Sequence, residues 1–400
     1  MWLEHEALSF PCYPHEITAL QLYDSGKLTL EIAIEAAQHG WLLKDASAWN
    51  VLHDNGRPVF VDLLSFDKEG SRRSWMAYGQ FARHFLLPLL LYQKRGITPT
   101  EIFLTNRDGV TPEHAYRLLG TANLISVMAL ELIVLPKILA TRGSRLIESE
   151  IQRSAGSAGV ASDADPQIML NTLGRLMRIL DRLRPSLNRS RSVWKGYEED
   201  RNHYSDQDLL AKTEFVRRGV GNCRSVLDLG CNAGEYSLIA SESGKQVVAA
   251  DFDHPALSIL YSRIRERRLP VMPVMLNVGR PTPAIGWANN EISSFIDRAT
   301  GRFDCVLMLG LIHHLVVTER VTIPMLVELL VQLKPHRLLL EWIEPQDQKF
   351  RQLAGLNAAL YSELNPQIFE AALRPHFRLV EKLNLPCVTR MMYLWERENS

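Results

Sequence analysis

Residues 226–237, VLDLGCNAGEYS, decide how this chain folds. The apolar run Val226 to Leu229 reads as a buried strand, Gly230 and Gly234 as a tight turn, and Glu235 to Ser243 as a helix. Glycine at the turn lets backbone approach a ligand with no Cβ in the way, and the first helical N–H groups face the same space. About 20 residues on, where a nucleotide-binding βαβ unit places an acid for ribose hydroxyls, a second strand (Gln246 to Ala250) ends in Asp251. Turn and acid together predict a nucleoside site.

The turn also narrows which nucleoside is meant. A pyrophosphate loop requires G-x-G-x-x-G, but Asn232 stands at the middle glycine and nothing supplies the third, which disfavours NAD and FAD. Asp228, at the strand end, fits the cationic amino-acid tail of S-adenosylmethionine, and a helix N-terminus can receive that tail's carboxylate. The ordered set D-L-G-C-N-A-G, VVAADFD (247–253), FDCVLMLGLIHHL (303–315) and the closing LVEKL…RMMYLW pattern resembles the class I S-adenosylmethionine-dependent methyltransferases over about 205–400. That resemblance implies a Rossmann-like, mostly parallel sheet with an antiparallel last strand. It further implies a cofactor site of Asp228, Gly230, Asn232, Gly234 and Asp251, with Asp253 as a secondary contact. Asn277 stands where many relatives carry an acid for the adenine amino group.

Outward from this motif, apolar runs at 225–229, 246–250, 272–276, 303–309 and 336–342, plus two near the C-terminus, alternate with helical patterns. The N-terminal half reads differently. Residues 1–70 mix short helices with a hairpin-like unit, Asn50 to Phe66, turned at Asn55-Gly56. Residues 71–195 are helix-rich, with 3.6-residue apolar spacing through Trp75–Tyr92, Glu113–Ala140 and Asp165–Leu183, and a small, polar loop at 154–166.

The stretch LLKDASAWNVLHDNGRPVFVDLLSF (42–66) is similar to the catalytic-loop segment of the protein-kinase and aminoglycoside-phosphotransferase fold. On that match Asp45 is the base, Asn50 a magnesium ligand and Asp62 the metal-binding acid. No Gly-rich loop or strand lysine precedes them, Lys44 replaces the usual Arg or Gly, and Leu63-Leu64 replaces Phe-Gly. A partial, degenerate kinase-like lobe is therefore expected in front of the methyltransferase-like part. This two-part arrangement resembles a bacterial group that includes rhizobial nodulation proteins of the NoeA type, a resemblance that implies a part in nodulation-type signalling.

Composition sets bounds. Lys plus Arg (45) equals Asp plus Glu (45), so no basic excess marks a nucleic-acid partner, and the Arg-rich stretch Arg182 to Arg191 reads as a solvated helix end. Cys12, Cys223, Cys231, Cys305 and Cys387 are scattered without a C-x-x-C pair, which suits a reducing cytoplasm and disfavours disulfides or structural zinc. The acidic start MWLEHEALSF lacks a signal peptide's basic region. The apolar windows Phe85–Tyr92 and Leu124–Ala140 read as buried helices.

Methyl transfer needs the nucleophile in line with the methyl group and, for an oxygen or nitrogen acceptor, a base. His313 and His314, just past the fourth strand, are the candidate catalytic residues; their adjacency argues against a metal pair, and packing of the following helix is an equal alternative. The segment 193–216, with Trp194, Tyr197, Tyr204 and Lys212, is expected either to fold over the cofactor as a lid or to pack as a plain helix, and Glu341 and Glu344 to meet an acceptor or solvent. The acceptor expected is a small molecule or saccharide. Two other functions fit the same residues: a bifunctional kinase–methyltransferase and a non-catalytic cofactor-binding module.

Overall fold

The computed structural model describes residues 7–68, 75–120, 128, 130–134, 166–187, 204–242, 244–386 and 389–398. Two compact units result, one of residues 11–186 and one of 1–10 with 187–400. The loop at 154–165, Trp194, Tyr197, Cys387 and most of Leu124–Ala140 lie outside the described residues.

The first unit is organised around a helix at Ala19–Gln38. Thr18 starts it: its hydroxyl accepts from the Gln21 N–H (3.2 Å) while the Gln21 side chain accepts from the Thr18 N–H (2.9 Å), a reciprocal cap. Two short antiparallel pairs follow. Strand β1 (Trp41–Leu43) pairs with β4 (Phe66–Lys68), and β2 (Val51–Asp54) pairs with β3 (Arg57–Phe60). The expected Asn55-Gly56 turn joins the latter two, both residues at positive φ (46° and 69°), as a two-residue hairpin requires. A helix at Pro166–Arg182 packs on Ala19–Gln38, and the Tyr23 hydroxyl donates to Asp181 Oδ1 at 2.7 Å.

The single helix expected over Trp75–Tyr92 is broken. Helical turns at Tyr78–Phe81 and Leu87–Arg95 flank a π-helical segment, Ala82–Leu86. The cause is Pro88, which has no N–H for the preceding turn; the wide turn bonds Leu87 N–H to Ala82 O, and the Arg83 carbonyl is taken by Val110 N–H at 2.9 Å.

The second unit holds a seven-stranded sheet of β5 (Ser225–Leu229), β6 (Gln246–Asp251), β7 (Val271–Met275), β8 (Cys305–Met308), β9 (Arg337–Ile343), β10 (Phe377–Asn384) and β11 (Arg390–Arg397). Their order is β10-β11-β9-β8-β5-β6-β7. Strands β5 to β9 run parallel, whereas β11 lies antiparallel to both β9 and β10. The parallel strands are buried on both faces, as their continuous Val, Leu and Met runs dictate. Pro273 is tolerated because β7 is an edge strand, and the other edge, β10, alternates half-buried with exposed positions after the buried Phe377 and carries Arg378, Glu381 and Lys382.

The sheet order reverses between β5 and β8, so a crevice opens at the carboxyl ends of these two central strands. A helix at Asp206–Val220 packs closely over β9; a Cβ on Gly219 would come within 2.4 Å of Leu339 Cδ2. That approach brings Lys212 to the end of β9. No described helix is long and apolar enough to cross a membrane.

Candidate cofactor and methyl-transfer site

The turn after β5 takes positive φ at three positions, Gly230 (78°), Asn232 (51°) and Gly234 (78°). Asparagine serves at the middle one because its short amide tolerates the left-handed region and bonds locally: Asn232 Oδ1 accepts from Ala233 N–H at 2.6 Å. At Gly234 a Cβ would meet Leu260 Cδ1 at 2.3 Å, so both backbone angle and space require glycine. Gly230 and Cys231 donate to the Ala250 carbonyl at 2.8 and 3.1 Å, tying the turn to the end of β6.

There Asp251 is fixed from two sides. Its Oδ2 accepts from Asn232 N–H (2.7 Å) and its Oδ1 from Asp253 N–H (2.8 Å). Burial pushes its pKa up to about 6, the neighbouring Asp253 charge adding to this and the backbone donors opposing it.

A cavity of about 590 Å³ lies along these strand ends. Gly230, Asn232, Asp251, Phe252 and Asn277 line one stretch of it, and Leu309 to Leu311, His314, Tyr204 and Lys212 line another. Gly234 lies at the back of the turn, as the Leu260 contact requires. Asp228 and Asp253 are not among the lining residues. Asp228 is buried behind the turn, accepting from the Ser237 hydroxyl at 2.6 Å. Burial raises its pKa to about 7, Asp251 adding to the shift and the Ser237 bond and Lys212 charge opposing it. The Asp253 Oδ1 caps the helix His254–Arg267, accepting from Ala256 N–H at 2.9 Å.

Asn277 is on the wall with both amide ends engaged. Its Nδ2 donates to Glu319 Oε1 (2.9 Å) and its Oδ1 accepts from Gly279 N–H (2.8 Å). Glu319, absent from the sequence reading, also lines the cavity, and the Asn277 bond leads the effects that hold its carboxyl below the usual range.

The two histidines part company. His314 faces the cavity, and burial lowers its pKa to about 4, so the ring is neutral near pH 7. His313 is buried behind it, ring centroids 4.1 Å apart and packed toward Phe350, with no hydrogen-bond partner for Nδ1 among the described residues. Burial first, then the charges of His314, Arg390 and Lys212, push its pKa well down.

Sequence reading missed the polar cluster at the β9 end. Glu341 is fully buried rather than solvent-facing; Lys212 Nζ donates to its Oε2 at 2.7 Å and the Tyr204 hydroxyl to its Oε1 at 2.6 Å. Arg390 donates to the Tyr204 hydroxyl, stacks 4.4 Å over that ring, and pairs with Asp347 at 3.0 Å. Burial raises the pKa of Glu341, but Lys212 and Arg390 overcome it, and the carboxyl stays below the usual range. A buried pair left with one partner costs about 3–5 kcal/mol, so removing either charge alone should destabilise the fold. The one available signal was Arg390 itself, an arginine heading the apolar strand RMMYLW. Glu344 is half-buried, its N–H donating to Thr389 O at 3.2 Å.

In the first unit, Asp62 Oδ1 accepts from Leu64 N–H (2.9 Å) and Oδ2 from the Ser65 hydroxyl (2.5 Å), which in turn accepts from Asn50 Nδ2 (3.3 Å). Asp45 Oδ1 accepts from Ser47 N–H at 3.0 Å. Asp45 and Asp62 thus make local turn bonds, while Asn50 reaches across to Ser65.

No family model matches the chain. It is similar to the nodulation protein NoeA of Rhizobium meliloti (strain 1021), 29% identical over 399 residues that span 99% of this chain and 82% of that protein. Among solved structures it is similar to the bifunctional kinase-methyltransferase WbdD at 21% identity and a TM-score of 0.34, over 48% of this chain and 38% of that one, well under half of WbdD's length. The N-methyltransferase NodS of Bradyrhizobium japonicum WM9 matches at 12% identity and a TM-score of 0.36, over 49% of this chain and 99% of its own. Strands β5 to β11 form a mostly parallel, Rossmann-like sheet with an antiparallel last strand.

Proposed function

We propose that the chain is an S-adenosylmethionine-dependent methyltransferase, with the cofactor lying along the strand-end cavity. The observation that carries this reading is Asp251, its carboxylate aimed by the Asn232 and Asp253 N–H groups on the wall of a Gly-turn cavity. A carboxylate held so accepts both ribose hydroxyls. Gly230 and Asn232 leave the backbone open beside the ribose, while Gly234 allows the turn to close over Leu260. Phe252, 43% exposed on the same wall, offers a ring face to the adenine. Asn277 stands where many relatives carry an acid, and Glu319, which it holds at 2.9 Å, supplies that acid for the adenine amino group. Asp228 acts from behind, as a buried charge facing the tail's ammonium.

Bound S-adenosylmethionine supplies an electrophilic methyl group on a sulfonium. The chain's residues hold it in line with the acceptor and remove a proton from an oxygen or nitrogen nucleophile. His314, neutral and facing the cavity, is the base; His313 backs it. The acceptor is a small molecule or a saccharide, and a part in nodulation-type signalling rests on the similarity to the nodulation protein NoeA alone. The organisation proposed is a kinase-like region at 1–70, a helical region at 71–195 and the methyltransferase domain at 205–400, in a cytoplasmic protein. The turn bonds of Asp62 favour a front unit that serves as a scaffold rather than a phosphotransferase.

Calorimetry with S-adenosylmethionine and NAD tests the cofactor. Micromolar binding of the first and none of the second is expected; the reverse would overturn the reading. Labelled cofactor in a metabolite screen then identifies the molecule that gains the methyl group.

A further inference from the structure

The cofactor reading leaves the carboxylate of the amino-acid tail without an assigned partner. The helix N-terminus expected to receive it belongs to Glu235–Ser241, only seven residues long. A different cation is in place. Lys212 lines the cavity, with its Nζ 4.7 Å from the ring centroid of Tyr236, in the first turn after the Gly motif, and its charge reaches Asp228 at the end of β5. It is therefore at the end of the cavity away from Asp251 and Asn277, where a tail would extend from a ribose held at β6.

The bonding of Lys212 leaves room for a ligand. An ammonium carries three donors, and among the described residues Glu341 Oε2 is the one acid within ion-pair distance of Nζ. The Tyr204 and Tyr236 rings flank the rest of it. Arg263, another cation on the wall, donates to Ala233 O at 3.3 Å and comes from the helix following β6, on the nucleoside side. Buried charges are retained where they are paired or where a ligand completes them.

Resting on the S-adenosylmethionine reading, we propose that Lys212 binds the carboxylate of the cofactor's amino-acid tail, with Glu341 as the counterion that holds Lys212 in place. The site then requires a tail with a carboxylate. A decarboxylated tail brings an ammonium alone, which Lys212 repels.

The test is calorimetry on the full chain with S-adenosylmethionine, decarboxylated S-adenosylmethionine and methylthioadenosine, which lacks the tail. The wild type should prefer the first over the second by about 10–100-fold, the range of one hydrogen bond to a charged group. Lys212→Met should abolish that preference, weakening S-adenosylmethionine and relieving the repulsion of the decarboxylated tail, with methylthioadenosine binding unchanged as the sign of an intact fold. Should Lys212→Met fail to fold with Glu341 left unpaired, the double variant Lys212→Met/Glu341→Gln removes both charges and should show the same loss. Glu341→Gln alone removes the counterion that holds Lys212 in place and should reduce the preference without abolishing it. A wild type without preference, or a Lys212 variant that retains it, overturns the proposal while methylthioadenosine binding leaves the nucleoside site standing. If none of the three binds, the cofactor reading falls with it.

Discussion

The backbone N–H of Asn232 points at Oδ2 of Asp251 from 2.7 Å, so the turn after one strand aims the acid at the end of the next. This bond joins the two sequence features that predict a nucleoside site and explains why the middle glycine can be an asparagine. The residue supplies a left-handed φ and, through its side chain, a bond to Ala233 N–H, while its main chain orients the carboxylate.

Replacing Asp251 by Ala should weaken S-adenosylmethionine binding by about 1.5–3 kcal/mol, the usual contribution of hydrogen bonds to a charged group. Because burial raises the carboxyl to about 6, affinity in the wild type should fall as pH drops through that value. Titration calorimetry between pH 5 and 8 checks both, and an unchanged affinity in the folded variant would refute the ribose role.

Gly234→Ala should destabilise the protein by about 1–3 kcal/mol, the range for overpacking, with a strained φ adding to the contact at Leu260. Thermal unfolding measures it. Gly244→Ala provides the contrast: its φ is similarly positive (73°) but a Cβ there meets nothing within 4 Å, so its cost should be the smaller.

The strands were legible because buried parallel strands are written as continuous apolar runs; 225–229 matches its expected bounds and the others shift by at most two residues at either end. The nucleoside half of the site was legible for a related reason, since its residues follow one turn and one strand end. The polar half was not. Lys212 and Glu341 are 129 residues apart, and Tyr204 and Arg390 are 186 apart, so no local pattern records that they meet. The π-helical break was hidden because Pro88 falls within an apolar run whose spacing continues across it.

Asp228 should make the ligand-free protein less stable as pH rises. Its folded-state pKa is raised from 3.8 to about 7, so between these values the folded form keeps a proton that the unfolded chain has lost. Stability from this group is therefore present at low pH and is lost as pH rises toward 7. Asp228→Asn, which keeps an oxygen for the Ser237 hydroxyl, should raise the melting temperature at pH 8 and have little effect at pH 4. A variant less stable than wild type at pH 8 would show that the charge is compensated in the fold.

Turnover should test His314 most directly. Free imidazole titrates near 6.5, and a base of that kind loses its rate below neutrality; burial instead lowers His314 to about 4. The neutral ring persists, and the methyl-transfer rate should hold nearly level from pH 8 down to about 5. His314→Ala should cut turnover by about 10²–10⁴-fold, with cofactor affinity almost unchanged, because a general base acts in the transition state. His313→Ala removes a buried ring that touches His314 and Phe350, so its main effect should be on the melting temperature. Comparing rate and calorimetric affinity for the two variants separates these outcomes. Near-normal turnover in His314→Ala across this pH range would mean that the acceptor brings no proton to remove, and that catalysis rests on alignment of methyl and nucleophile alone.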